Sequence, residues 1–405
     1  MLPMATDGHQ GKMVDRIVAG RSIVVLCAPP GFGKSQLARA AARRISAASG
    51  MAVAEFGQIE HHADPRAAAN ALLAEPERVT ILEDVHVTDR SFLGLALERI
   101  NFDRSGARVI MTISQSGDFP LARLATRCPI DILDASALRQ RPQETAQLLK
   151  SIPRAKIRAR IRALVGDWPI AMELLCAWAA RSPDGCSSWN DLDIVRESRL
   201  GEFIDQEVLA LLSAEERSAL VHASLLDLPD IDFLASISGH RSDGRILADL
   251  AFRLKGLVDR RENSIILQNA LRIWLRDAVE VFDEDKRVAL LVSMADQCSA
   301  RGRLAEAAGL ARMAGDTRHY AHAHGALRIW IVHGFSVLRE LLENSSPQDI
   351  ASSIVLRMIE CIVHMKAGRI NAAQDLFESL AREVGPGHPL TKDLEIVRVT
   401  LLVYG

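Results

Sequence analysis

Eight consecutive residues carry the clearest chemistry in this chain: Ala28-Pro29-Pro30-Gly31-Phe32-Gly33-Lys34-Ser35. Apart from Ala28 at the head, they follow the pattern G-x-x-x-x-G-K-[ST]. Such a loop turns its backbone N–H groups inward and forms a nest for an anion. A helix starting near Lys34 aims its positive end at the same anion. Gly33 supplies a backbone conformation that a side chain would obstruct. Lys34 is expected to reach the β- and γ-phosphates of a nucleoside triphosphate, and Ser35 to offer its hydroxyl to Mg²⁺. The expected binding stretch runs from Ala28 through Ser35 to Gln36. The plain alternative is a chance Gly-Lys-Ser at a helix start, but the apolar strand before it and the helix after it argue against chance.

The second constellation is Val79-Thr80-Ile81-Leu82-Glu83-Asp84, an apolar strand ending in two carboxylates. Downstream of a phosphate loop, one acid holds Mg²⁺ through water and the other polarises an attacking water. Glu83 falls on the metal position, with Ser35, and both Glu83 and Asp84 are candidates for catalysis. Aspartate is usual where Glu83 stands, so any hydrolysis is expected to be slow. The alternative is a solvated acidic turn. Other groups read more plainly. His61, His62 and Asp64 form a polar loop rather than a metal site. Arg154, Arg158 and Arg162 recur at helical spacing, with Lys156 and Arg160 between, and read as a solvated helix face. His319, His322 and His324 are placed on the surface or between helices, and Trp168 in the core.

The elements that must position these residues follow from periodicity. Short apolar runs at Ile23–Leu26, Val79–Leu82, Val109–Ile113 and Ile130–Leu133, with a weaker one at Val53–Phe56, alternate with helical stretches. Continuous apolarity marks strands covered on both faces, and the alternation marks a doubly wound α/β domain with a parallel sheet. Beyond residue 135 strand signals nearly stop. Pro142 and Glu144 mark a helix start, Gly166-Asp167-Trp168-Pro169 a sharp break, and Ser264–Leu267 one short strand among helices, as in a winged helix. In the last third, Gly302, Gly334 and Gly368 recur at 32 and 34 residues, and Ala307 echoes Ala373. A period near 33 fits stacked helix-turn-helix units, with an irregular bundle as the alternative.

Of the 405 residues 48% are hydrophobic, enough for two or three domains. Formal net charge is −2, so no global field favours nucleic acid or an anionic membrane. The six cysteines are scattered without a C-x-x-C pair and fit a reduced, cytoplasmic chain. The N-terminus lacks a signal-peptide pattern, and no run is apolar enough to span a membrane.

With these residues in view, the chain resembles the STAND class of P-loop ATPases, and within it the MalT-like, LuxR-type transcriptional regulators. Cys27–Ser35 resembles that group's APxGFGK[ST] loop, in which alanine commonly leads. Leu82-Glu83-Asp84-Val85-His86, Pro120–Leu124 and Gly166–Pro169 resemble further segments, and the resemblance implies that Pro169 packs near the adenine of ATP. It also implies three departures: no sensor arginine in Ser114-Gln115-Ser116, Gln268 in place of a nucleotide-sensing histidine, and no C-terminal DNA-binding domain. The expected organisation is a nucleotide-binding domain over 1–135, a helical subdomain over 136–200, a winged-helix-like domain over 201–285 and TPR-like repeats over 286–405. The expected function is an ATP- and Mg²⁺-binding switch of a transcriptional regulator. It would be controlled by a small-molecule or protein inducer on the repeats and by self-association, with slow ATPase activity at most and no sequence-specific DNA reading. A turnover ATPase driving remodelling, or a nucleotide-insensitive scaffold, are the alternatives.

Overall fold

Aliphatic and β-branched residues set the centre of the fold, burying both faces of its three inner strands, while the two edge strands, expected to be covered as well, expose Val53 and Ile132 because each has a neighbour on one side only. In the computed structural model, which describes residues 9–56, 78–85, 108–114, 125–126, 129–152, 154–181, 189–226, 229–237, 242–278, 284–315 and 319–404, they form one parallel sheet. Its strands are β1 (Ile23–Cys27), β2 (Ala52–Phe56), β3 (Arg78–Leu82), β4 (Arg108–Ile113) and β5 (Ile130–Asp134), in the order β2-β3-β4-β1-β5. The central strand β1 pairs Ile23 with Val109 and Ile130, and Cys27 with Ile113 and Asp134. The fold is thus an α/β P-loop sheet followed by mainly helical regions.

Helix α1 (His9–Ala19) precedes β1, and α2 (Lys34–Ser49) follows it. The buried side of α2 is Leu37, Ala38, Ala41, Ala42 and Ile45, and the three alanines let its backbone approach the sheet closely. Gly50 closes α2 in the left-handed conformation, its N–H donating to the Ser46 carbonyl. Because the chain leaves β1 for the far edge and later returns, the carboxyl ends of β1, β3, β4 and β5 frame one crevice, where ligands bind in open α/β sheets.

Next come α3 (Ala135–Leu138), α4 (Pro142–Leu149), α5 (Ala155–Val165), α6 (Pro169–Arg181), α7 (Asp191–Glu197) and α8 (Leu200–Phe203), which runs on into a π-helical turn at Ile204–Val208. The break at residues 166–169 is real: α5 ends before Gly166, whose φ is +56°, and α6 opens on Pro169. Then α9 (Ala214–Ser224), α10 (Ile231–Ile237) and α11 (Ser242–Arg253) lead into an antiparallel hairpin, β6 (Val258–Arg261) and β7 (Ser264–Leu267), and α12 (Asn269–Ala278). All these elements lie in one compact unit, residues Met1–Ser224 with Leu228–Asp277.

A second unit, Leu225–Asp227 with Ala278–Gly405, has helices and no strand among its described residues. It runs α13 (Glu284–Ala300), α14 (Leu304–Met313), α15 (His319–His333), α16 (Phe335–Glu343), α17 (Pro347–Ser352), α18 (Ile354–Lys366), α19 (Ile370–Glu383) and α20 (Thr391–Tyr404). Two of its turns share one geometry. Gly302 (φ +75°) and Gly368 (φ +74°) each lie in a three-residue link, and the residue after each donates 2.9 Å to a helix carbonyl five positions back: Arg303 to Cys298, Arg369 to His364. Ala307 and Ala373 are both fully buried. Gly334 differs: at φ +82°, ψ 164° it joins α15 to α16 as a single-residue link, so its spacing matches while its turn does not. His324 does not sit idle on a surface. It and Arg328 each approach the buried Asp393 carboxylate at 3.0 Å. Among the described residues, no helix is long and apolar enough to cross a membrane.

Ala373 is fully buried in the helical core, so a larger side chain there must displace its neighbours. Ala373→Leu should therefore cost the second unit about 1–3 kcal/mol through overpacking. Urea unfolding followed by circular dichroism measures this, and an unchanged midpoint would contradict the repeat packing.

Candidate nucleotide site

The loop between β1 and α2 is held by its carbonyls. Pro29 accepts a 3.0 Å hydrogen bond from Lys34 Nζ, Pro30 accepts from Trp168 Nε1 at 3.2 Å, and Gly31 accepts from the Ile170 N–H at 3.1 Å. The Ala28 N–H extends the sheet by donating to Ile113 at 3.1 Å. The Gly31 and Phe32 N–H groups share peptide planes with the Pro30 and Gly31 carbonyls and so point the opposite way. Among the described residues, none of the N–H groups from Gly31 to Ser35 has a backbone carbonyl acceptor. Gly31 (φ +82°) and Gly33 (φ +75°) make this turn possible. A Cβ on Gly31 would lie 2.2 Å from Ile170 Cγ2, whereas one on Gly33 would meet nothing. Gly31 is thus needed for space as well as conformation, and Gly33 for conformation alone.

Lys34 is 7% exposed at the first position of α2. Burial lowers its ammonium to about 8, against the opposing pull of Asp84 and, more weakly, Cys27 and Glu83. Ser35 is half-buried beside it, and Gln36 is exposed. The site therefore combines unpaired amides, a helix N-terminus and a desolvated cation, which together suit a phosphate chain.

The two acids after β3 part company. Glu83 accepts from Arg39 of α2 at 3.0 Å, and Arg39 also reaches Glu55 of β2 at 2.6 Å. Asp84 adopts φ +49°, which turns it toward β4: its N–H donates to Thr112 Oγ1 at 2.9 Å, and its Oδ1 accepts from Ser114 Oγ at 3.1 Å. Ser114 stands where the family resemblance leads one to look for an arginine, and it positions an acid instead. Sequence reasoning missed Arg39 and Thr112, since neither type nor spacing distinguishes them from ordinary helix and strand residues. It placed Trp168 in the core, correctly, but missed its role: the buried indole fixes the loop and meets Phe203 edge-on at 6.0 Å.

Residues from the hairpin region close over the loop. Gly256 (φ +103°) abuts Phe32, whose Cζ lies 2.8 Å from where a Cβ would be. Lys255 donates to Asp134 at 2.7 Å, and Arg139 to Asp259 at 2.6 Å. Burial disfavours the Asp134 carboxylate, but hydrogen bonds from Lys255 and Ser136 outweigh this and hold it near 2. Gln268 accepts from the Leu271 N–H at 3.0 Å and donates to the Leu164 carbonyl at 2.9 Å, while Asn269 donates to Ala163 at 2.8 Å. Gln268 therefore ties α5 to α12. Pro169, at the start of α6, adjoins Trp168 and Ile170, the residues that grip the loop. His61, His62, Asp64, His86, Gln115, Ser116 and Pro120–Leu124 lie outside the described residues, and among those described no His, Cys, Asp and Glu cluster could hold a metal by itself.

Lys34→Met should stabilise the nucleotide-free protein, because below pH 8 the buried ammonium costs on the order of 3 kcal/mol. That cost is present at neutral pH and fades as pH rises from about 8 toward 10.5, where the unfolded lysine also deprotonates. Melting curves at pH 7 and pH 10 should show a gain that shrinks with pH. A loss of stability at pH 7 would contradict the burial.

No family model matches the chain, and no curated protein matches it. Among solved structures it is similar to a signal transduction ATPase with numerous domains (STAND) bearing a tetratricopeptide repeat sensor, from Pyrococcus horikoshii, at 14% identity and a TM-score of 0.33. That match covers 91% of this chain, which spans 57% of the length of the Pyrococcus protein. It is also similar to the RuvB Holliday junction branch migration motor of Thermotoga maritima, at 16% identity, TM-score 0.38 and coverage of 65% and 92% of the two chains. A third similarity is to Cdc6p of Pyrobaculum aerophilum, at 14% identity, TM-score 0.34 and coverage of 68% and 95%.

Proposed function

We propose that this chain is an ATP-binding switch whose resting state hydrolyses nucleotide slowly. One observation carries the reading: the Pro30 and Gly31 carbonyls are taken by Trp168 and Ile170, and among the described residues the five successive N–H groups from Gly31 to Ser35 have no backbone acceptor, beside a buried lysine whose one hydrogen bond is to the Pro29 carbonyl. Bound Mg²⁺ would supply positive charge against the phosphates. The Ser35 hydroxyl and the Asp84 carboxylate, the latter through water, would hold it. Glu83, the residue first expected on the metal, is engaged by Arg39, so we assign it to fixing α2 against β2 and β3. With one acid paired to arginine and the other bonded by Ser114, neither is poised to activate water. This favours a switch over a turnover motor.

Within the first unit we propose three parts: the sheet domain to residue 135, a helical part to residue 200, and a winged-helix-like part built on α9 to α12. The last part would close over bound nucleotide through Phe32 and Gly256. From the family resemblance, an inducer on the helix pairs would favour opening and self-association, the route by which such a switch would regulate transcription. The nucleotide-insensitive scaffold finds support in Gln268, whose side chain is committed to holding α5 and α12 together.

ATP with Mg²⁺ at about a hundredfold over its dissociation constant should stabilise the wild type by roughly 2.7 kcal/mol, and Lys34→Ala should abolish the effect. Steady-state phosphate release should stay well below about 1 per second; faster turnover would favour the motor. Gly256→Val places side-chain atoms where Phe32 sits and should loosen the cover. Release of a fluorescent ATP analogue, followed by stopped flow, should accelerate about tenfold or more. Unchanged release would mean that the hairpin does not guard the site.

A further inference from the structure

The stretch from Thr145 to Gly166 contains Lys150, Arg154, Lys156, Arg158, Arg160 and Arg162 and no acid, in a chain whose formal net charge is −2. The fold sorts these cations by face. Arg160 lies on one flank of α5 and is bound to Asp191 at 2.5 Å and to the Trp189 carbonyl. Arg154, Arg158 and Arg162 recur every four residues, so they form one stripe along the opposite flank. Between that stripe and α4 lies a groove of about 360 Å³ lined by Ala146, Leu149, Lys150, Arg158, Ala159 and Arg162. Lys150 caps the end of α4 across from the stripe, and Ala146 and Ala159 keep the groove open. Arg158 is set in place by its 2.7 Å hydrogen bond to the Ile152 carbonyl, while Lys150, Arg154 and Arg162 are exposed. The sequence reading of a merely solvated helix face is therefore incomplete: part of the face is one wall of a cationic groove.

We propose that this groove is a second anion site that holds the phosphodiester backbone of a nucleic acid without reading its sequence. The stripe is about 12 Å long at 1.5 Å per residue, a length over which one strand of duplex DNA presents roughly three or four phosphates. The stripe's cations are strung in a line, Arg154 and Arg162 exposed and Arg158 half-buried between them, which suits a linear polyanion; a small phosphate ligand calls for convergent, enclosed donors like those of the P-loop. Among the described residues no aromatic side chain lines the groove, so these offer neither base stacking nor the aromatic anchors that dominate protein interfaces. Nothing lining it presents the paired donor and acceptor geometry that distinguishes one base edge from another. The site is independent of the P-loop reading.

The test is fluorescence anisotropy of the full chain, without nucleotide, against random-sequence 30-base-pair duplexes between 50 and 200 mM NaCl. With about four phosphate contacts, affinity should fall on the order of a hundredfold across that range. The Lys150→Gln/Arg154→Gln/Arg162→Gln variant should lose most of this salt slope, while Arg382→Gln/Lys392→Gln/Arg398→Gln, which removes equal charge from the second unit, should keep it. Both variants must melt at the wild-type temperature for the comparison to hold. If the first variant melts early, Lys150→Glu and Arg162→Glu taken singly should each remove about one phosphate's share of the slope. No binding at 50 mM by the wild type, or an unchanged slope in the groove variants, would overturn the proposal. So would competition by polyglutamate or tripolyphosphate as effective as duplex at equal charge, which would assign the groove to acidic partners or to small anions instead.

Discussion

The constraint on which the first unit turns is the grip of α6 on the phosphate loop. Two hydrogen bonds, from the Trp168 indole and the Ile170 amide, take the carbonyls of Pro30 and Gly31. Each is worth only about 0.5–1.5 kcal/mol net. Their structural effect is larger, because an amide plane that turns its carbonyl one way must turn its N–H the other. The loop's anion-binding face is thus prepared from behind, by a helix more than a hundred residues downstream. Gly31 has to be glycine because Ile170 occupies the space a side chain would need. The break at Gly166–Pro169, which looks like a simple helix terminator, sets the angle at which this grip is applied.

The site also stores a cost. A lysine buried at a helix N-terminus faces desolvation and a like-signed dipole, and the Pro29 carbonyl offers it only partial relief. Phosphate would supply the missing counter-charge, so the unliganded loop is held in a state that ligand improves. The ion pairs that fasten the hairpin do not weigh equally with this. The Lys255–Asp134 pair is half exposed and Arg139–Asp259 about a third exposed, so each contributes a modest amount that salt would screen. The closer control is steric, where Phe32 meets Gly256 with no room between them.

Much of this was legible in the sequence, for a physical reason. Strands buried on both faces must be apolar throughout, so the three inner strands β1, β3 and β4 stood out as runs; the edge strands β2 and β5, which expose Val53 and Ile132, and the hairpin strand β7 were apolar enough to be read as well, and the loop's chemistry leaves a motif. The helix-pair turns were legible through Gly302 and Gly368, because only glycine adopts that backbone readily. What stayed hidden is chemistry made by long-range contact. Glu83 and Asp84 are neighbours in sequence and diverge in space because Asp84 is left-handed, and no local signal announces that. Arg39, Thr112 and Ser114 gain their roles only when β4 and α2 meet the end of β3. Gln268 reads as a lost sensor in sequence and as a helix tie in the structure. The cations of α5 read as a solvated face until α4 supplies the opposite wall.

The account is tested most directly by calorimetric titration of Mg-ATP into nucleotide-free wild-type chain at pH 7 and pH 9, in buffers of different ionisation enthalpy. If Lys34 is the buried, half-committed cation described above, nucleotide binds at one site and restores the proton that Lys34 lacks above pH 8. Binding should then take up close to one proton at pH 9 and very little at pH 7, with affinity about tenfold lower at the higher pH. Absence of binding at both pH values, or binding at pH 9 with no proton uptake, would contradict the central claim that the loop and Lys34 form a preorganised phosphate site.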